Sequence, residues 1–521
     1  DNKQIAGGLA AVVKNGTVTD CENDGTVSCI SGFSDYGVGG IVGTLNGGTI
    51  SGCKNRGTIE QKNARWGYSG GIAGNALESA KITGCSNAGT ITYGYYSGGI
   101  VGKIQTGIQI DSCVNEGAIT YGEWSGGIAG FVQQCTIKDC KNTGQVNAGS
   151  PDYSARSGGI AGEIAGASTV SNCENTGAIG FIHMIADNSA GGIVGKLTSG
   201  TIEMNRNTGT VSVGNSTAAI YAGGLVGTVY GGTLQNNYNT GATTGGSDKV
   251  YCGGVAGTIT NGNVTSNYSC GAGMGSSVSQ GVFGLENGGT ASNNFFDEDK
   301  LNTTAIADSF MHGGRTTAQM KQWGLAYQLN GAPDLSAVSN TVWREASSGS
   351  ENSGYPVFAE TNGKMDAAAN WSEPGAWVDA YGTKPEGDGS TTAYKITSPE
   401  QLAWLAYKVN TDSSNYSKRN ADIGKNKLDL FGSRFSGRAN TGDVTKALTW
   451  VPIGTYSGSL ADGELDNLYI PGGSTSVSFI QVLNGGSVSG LSVRGKITAT
   501  ENTTDHMAGI VALAQNNASI R

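Results

Sequence analysis

Apolar positions along this chain come in short alternating runs, each cut by glycine, and the runs recur in phase. A Gly-Gly-apolar-small-Gly box stands at Gly39-Gly40-Ile41-Val42-Gly43 and again at Gly70-Gly71-Ile72-Ala73-Gly74. It returns at Gly98, Gly126, Gly158, Gly191, Gly223 and Gly253, with a weaker copy at Gly7 and a decayed one at Gly281. The eight clear copies are spaced 28 to 33 residues apart. A second box follows the first and reads Thr-Ile-x-x-Cys-x-Asn-x-Gly-x-Ile. Copies run over Thr49 to Ile59, Ile82 to Ile91, Ile110 to Ile119, Ile137 to Val146 and Val170 to Ile179. Two mutually phased boxes define a repeat of about 30 residues. A unit that short and that rich in glycine does not hold a helix pair. It fits one turn of a parallel β-coil.

Stacking the units predicts side-chain columns. Val18, Ile50, Ile82, Ile110, Ile137, Val170, Ile202, Leu234 and Val264 form the apolar column of the interior. Strands roughly 4.8 Å apart make ten rungs a rod of roughly 45–50 Å. The crossover preference of parallel strands favours a right-handed coil. Asn55, Asn87, Asn115, Asn142 and Asn175 share a column with Asn23, Asn207 and Asn239, where buried amides can bond to one another along the stack. The glycine two residues on, from Gly25 to Gly241, reads as a bend requiring positive φ. Cys53, Cys85, Cys113, Cys140 and Cys173, with Cys21, occupy one repeat position that Asn205, Asn237 and Asn267 take over. Thiols in such a column point in parallel, so free, buried thiols acting as small apolar fillers are expected. Cys29, Cys135, Cys252 and Cys270 lie off the column and leave one or two bridges open.

Composition narrows the class. Glycine accounts for 87 of 521 residues and proline for 8, without a Gly-X-Y period, which excludes collagen. Charged residues make up 14% and the net charge is −9, with no basic face for a nucleic acid. No run of about 18 apolar residues spans a membrane. Both ends fall inside repeating sequence, so the chain reads as a piece of a longer protein whose signal or anchor would lie elsewhere. No cofactor or metal is expected. No Cys-x-x-Cys occurs, and His183, His312 and His506 are isolated.

The Gly-Gly-Leu-Val-Gly version at Gly223 to Gly227 resembles the box that characterises GLUG-repeat proteins. The resemblance covers about residues 5–296 and resumes at Met507-Ala508-Gly509-Ile510-Val511. It implies a module of a large secreted or cell-wall-attached bacterial protein. Such modules occur in adhesins, and some precede immunoglobulin A metallopeptidase domains. The His-Glu-x-x-His element of those enzymes is absent here. The repeat is specific, whereas function is not fixed by it.

Four regions are expected: a solenoid over 1–296, a cap over 297–360, a linker over 361–390, and the start of a second solenoid over 391–521. Thr316 to Leu329 reads as one short amphipathic helix. Phe295, Phe296, Trp323, Leu325, Tyr327 and Leu329 are the apolar residues for closing the stack. Ser398-Pro399-Glu400-Gln401-Leu402 opens a capped helix running to about Val409. Short strands are expected over 477–483, 490–493 and 508–514.

The candidate functional surface is an aromatic column just before the Gly-Gly box. It comprises Trp66, Tyr68, Tyr96, Trp124, Tyr221 and Tyr251, with Tyr36, Tyr95 and Tyr153. Such a row suits sugar rings or a partner chain. It equally suits rings that only stack on one another. Acidic residues (Asp111, Glu116, Glu123, Asp139, Asp152, Glu163) are scattered without the paired column a glycosidase needs. The expectation is therefore a non-catalytic extracellular scaffold or stalk. The alternative is a module binding host glycan or surface protein along the aromatic edge. A self-assembling filament subunit or a carbohydrate-active enzyme stands behind both.

Overall fold

A computed structural model describes residues 4–29, 37–61, 66–149, 154–182, 187–247, 249–272, 281–300, 312–336, 341–359, 365, 367–377, 384–472, 477–498 and 506–521. The chain forms two compact units, 1–317 and 318–521. It is a parallel β-solenoid of about 14 turns in all. The ten rungs anticipated from the boxes account for the first unit, and the second unit adds the rest.

Among the described residues of the first unit every inter-rung pairing is parallel, and the register is kept except for a shift between Thr120 and Gly122. Val18 pairs with Ile50, Ile50 with Ile82, Ile82 with Ile110, and so on to Val264 and Ala291. These residues, with the apolar pair inside each Gly-Gly box, fill one interior. A smaller second cluster holds Ile59, Ile91, Ile119, Val146 and Ile179. The two clusters belong to different sheets: Ile50 pairs with Ile82 in one and Ile59 with Ile91 in another.

The Asn-x-Gly corner differs from expectation. None of the corner glycines (Gly25, Gly57, Gly89, Gly117, Gly144, Gly177, Gly209 and Gly241) has positive φ; that conformation belongs to the residue before the cysteine column. Asp20, Gly52, Gly84, Ser112, Asp139, Asn172, Met204, Asn236, Ser266 and Asn293 all lie there, with φ between 52° and 62°. What demands glycine at the corner is close approach. A Cβ on Gly57, Gly89, Gly117, Gly144, Gly177, Gly209 or Gly241 would overlap the carbonyl oxygen of the glycine one rung earlier. The second glycine of the first box is excluded from growing for a related reason. A Cβ on Gly71, Gly99, Gly127, Gly159 or Gly192 would run into the Asn side chain of its own repeat. The two boxes are phased in sequence because they touch in space.

The second unit opens with two short helices, α1 (Thr317–Met320) and α2 (Trp323–Leu329), in place of the single helix anticipated. Trp323 and Tyr327 stack on each other and pack against Phe435, inside the second unit. Phe295 and Phe296 are buried in the first. The 361–390 segment contributes α3 (Ser372–Trp377) and the buried Trp371, whose indole N–H donates to Leu430 O at 3.0 Å. Helix α4 (Pro399–Thr411) is capped by the Ser398 side chain, which accepts from Gln401 N. Beyond it lie parallel sheets of five and three strands. Two of the longest strands, Ala421–Asp429 and Ser459–Ile470, were not anticipated.

Candidate functional site

Two polar ladders frame the interior. Along the first, Asn23, Asn55, Asn87, Asn115, Asn142, Asn175 and Asn207 each donate from Nδ2 to Oδ1 of the next rung's Asn at 2.8 Å. The last acceptor is Asn239, which donates onward to Ser269 Oγ at 3.1 Å. The second Nδ2 hydrogen goes to the carbonyl of the glycine two residues on, for example Asn115 to Gly117 O at 2.9 Å. Each amide is thereby satisfied without water, at a net gain of about 1 kcal/mol per bond.

The cysteine column is the second ladder in its apolar version. Cys53, Cys85, Cys113, Cys140 and Cys173 are buried free thiols, and Cys21 and Cys135 are free as well. Each column thiol donates to the carbonyl two residues back, as Cys113 does to Asp111 O at 3.4 Å. Where Asn takes over, its Nδ2 performs the same task. Asn205 donates to Glu203 O at 2.9 Å and to Asn237 Oδ1 at 3.0 Å, and Asn237 and Asn267 continue the row to Asn294. Burial pushes the Cys53 thiol up to about 11. At Cys85 the neighbouring Cys113 thiol, with burial second, drives the shift further upward. These thiols are poor nucleophiles and poor metal ligands in their folded setting.

The aromatic row lies on the strand that leads into the Gly-Gly box. Its register is Tyr68, Tyr96, Trp124, Arg156, Ser189, Tyr221 and Tyr251. Two aromatic blocks are thus separated by a polar pair. Tyr36 and Tyr153 lie outside the described residues, as do Asp152 and His183. A facing column of Lys103, Phe131, Glu163 and Lys196 comes from the residue after each box. Lys103 Nζ sits 4.8 Å from the Tyr68 ring centroid and bonds its hydroxyl at 3.1 Å. The Arg156 guanidinium lies 4.0 Å from the Trp124 ring centroid and pairs with Glu163 at 2.8 Å. Burial, with Arg156 second, lowers the Lys196 pKa.

Ring orientation decides what the row can do. Tyr68 and Tyr96 stack at 5.2 Å and 24°, and Tyr221 and Tyr251 at 5.7 Å and 24°. Faces turned along the stack axis are spent on one another, which leaves edges outward. Tyr68 is buried, while Tyr96, Trp124, Tyr221 and Tyr251 are half-buried. Trp66 is 40% exposed and lies 4.7 Å from Tyr95 at 44°. Sequence reasoning missed a further pair. Tyr93 and Tyr121 are 49% and 40% exposed, stack at 4.9 Å and 14°, and adopt φ of 59° and 64°. A bulky side chain in the left-handed region is unusual. The signal was the repeated Ile-Thr-Tyr-Gly at Ile91 and Ile119.

Among the described residues no cluster of three or more His, Cys, Asp or Glu forms a metal site, and no helix is long and apolar enough to cross a membrane. Fold and ladders together define a parallel β-solenoid repeat protein. No family model, curated protein or solved structure matches the chain.

Proposed function

We propose that the chain is a non-catalytic scaffold or stalk segment of a larger bacterial surface protein, adhesin-like in character and extracellular. The carrying observation is the use of side chains. Amides, thiols and ring faces are spent on the rung above or below, so rigidity is what the sequence specifies at each position. The repeat's resemblance to GLUG modules agrees with this placement. The test is mechanical and hydrodynamic: small-angle scattering and single-molecule pulling on the purified chain. A scaffold unfolds rung by rung at sustained force, as nearest-neighbour stacking requires. Release of the first unit in one low-force step would defeat the reading.

A second reading rests on the exposure of Trp66, Tyr93 and Tyr121. In it, the aromatic block of the third to fifth rungs binds host glycan or a surface protein. A glycan array and a mucin pull-down with the full chain test it. Trp66→Ala with Trp124→Ala abolishes capture under this reading and leaves it unchanged under the first.

A further inference from the structure

Each unit buries the apolar residues of one end and exposes those of the other. On the last rung of the first unit Val282, Phe283, Ala291 and Phe296 are buried, and the strand over Asn294–Asp297 is continued by His312–Arg315. At the start of the second unit Ile453 and Tyr456 are buried, and Asn410 of helix α4 donates to Pro452 O at 2.8 Å and accepts from Gly454 N at 2.7 Å. The other two ends are sheet edges. Among the described residues Ala10–Thr19 pairs only with the rung after it, and Val511–Gln515 and Ser519–Ile520 only with the rung before.

Neither edge is blunted. Ala10–Thr19 is a ten-residue strand with a single charge, Lys14, and no proline, whereas natural edges are usually short, charged or interrupted by proline. Five of the nine large apolar side chains exposed among the described residues lie on these two end rungs: Leu9, Val12, Met507, Leu513 and Ile520. Two of the five stand in columns that are buried in the adjoining rungs. Leu9 N donates to Ile41 O, and Ile41 and Ile72 below it are fully buried. Ile520 continues the column of Leu460 and Val488, also buried.

The two edges share one spacing. On the last rung Val511, Leu513, Ala514 and Ile520 pair with Ile480, Val482, Leu483 and Val488. On the first, Ala10, Val12, Val13 and Val18 pair with Val42, Thr44, Leu45 and Ile50. Laid one on the other with strands parallel, the edges match Val511 with Ala10, Leu513 with Val12, Ala514 with Val13 and Ile520 with Val18. The last rung has one residue more between Leu513 and Ile520 than the first has between Val12 and Val18. The first unit already joins rungs that differ in this way: Asn75 to Ile82 is one residue longer than Thr44 to Ile50, and both ends stay in register. The longer turn is built alike in both units, with positive φ at Glu78 and Ser79 and at Asn516 and Asn517.

We propose that the last rung of one copy stacks on the first rung of a second copy, so that Ile510 covers Leu9 and Ile520 covers Val18. The contact joins two different surfaces, so each added copy presents a fresh edge. The test is size-exclusion chromatography with light scattering on the full chain, from about 1 to about 100 µM. The mass is expected to rise with concentration from one chain to two and beyond. Leu9→Asp and Ile520→Asp place a charge at side chains that are each 51% exposed in the single chain but buried in the stack. Each variant alone should need about a hundredfold more protein to associate. Mixed one to one, they retain one intact edge of each kind and should form dimers and nothing larger. Circular dichroism checks that both are folded. The proposal is overturned if the parent stays monomeric throughout, if either folded variant associates like the parent, or if the mixture forms no dimer.

Discussion

Replacing Gly117 by alanine tests whether close approach, and not backbone conformation, fixes the corner glycines. The added Cβ would lie 2.8 Å from both the Gly89 carbonyl carbon and Asn87 Nδ2, and nearer still to the Gly89 oxygen. Ordinary contact begins near 3.4 Å. The corner must therefore open by more than half an ångström, along the direction of its own bonds. Those at risk are Glu116 N to Asn87 O at 2.7 Å, Gly117 N to Asn87 O at 3.2 Å and Asn87 Nδ2 to Asn115 Oδ1 at 2.8 Å. Two or three bonds weakened at about 1 kcal/mol each, with overpacking of about 1–3 kcal/mol, give about 3–6 kcal/mol. Gly84 is the control, because its φ is +60° and nothing lies within 4 Å of an added Cβ. Gly84→Ala should cost only about 1 kcal/mol. Asparagine separates the two mechanisms. It tolerates the left-handed region, so Gly84→Asn should be milder than Gly84→Ala, while Gly117→Asn should be at least as damaging as Gly117→Ala. Repeat arrays lose two-state behaviour, so the assay is local: hydrogen exchange of the corner amides in each variant. Near-parent protection in Gly117→Ala, or rescue by Gly117→Asn, would refute the reasoning.

Three other outcomes follow from the ladders. Asn115→Ala removes its bonds to Asn87, Asn142 and Gly117, and should cost about 3 kcal/mol by hydrogen exchange of the adjoining corner amides; Asn23→Ala, half-buried at the first rung, should cost about 1 kcal/mol. Cys173→Asn adjoins Asn205 and should extend the amide row within about 1 kcal/mol of the parent, whereas Cys113→Asn, between two thiols, should cost about 2 kcal/mol or more by the same local exchange measurement. The thiols of Cys53 and Cys113 are pushed up to about 11 and about 12, above an unfolded value near 8.5. A folded pKa above the unfolded one gives stability that is complete below about pH 8.5 and lost as pH rises toward 11. Thermal melts should fall across that window, and Ellman's reagent at pH 8 should react far more slowly with native than with denatured protein.

The stack was legible because its columns repeat. The apolar column read from Val18 to Val264 is the observed register, since each member recurs beside the same boxes. The left-handed column was not legible. Asp20, Ser112, Met204 and Asn293 share a φ near 55° but no chemistry, because the stack imposes that conformation. Glycine misled for the complementary reason: it serves both positive φ and close approach, and sequence does not separate them. The strand over Ser459–Ile470 was missed because its alternation is broken by Gly463 and a positive-φ Asn467. The facing column of Lys103, Phe131 and Glu163 became visible only when two sheets were brought side by side.

Nearest-neighbour stacking also explains why substitutions along a column come in blocks. Six cysteines precede four asparagines at one position, with a single junction at Cys173, whose backbone N–H donates to Asn205 Oδ1 at 2.8 Å. Alternating the two types would multiply amides lacking an amide neighbour, each an unmade buried hydrogen bond. The same rule applies to the aromatic row. A block of rings exposes ring faces only at its two ends, so the ends decide whether it can hold a ligand. At the Trp124 end the Arg156 guanidinium covers the last ring and is itself tied to Glu163. Trp66, beside Tyr95, is 40% exposed. Of the two rings changed in the double variant Trp66 is therefore the more accessible, and Trp66→Ala alone should account for most of the binding lost.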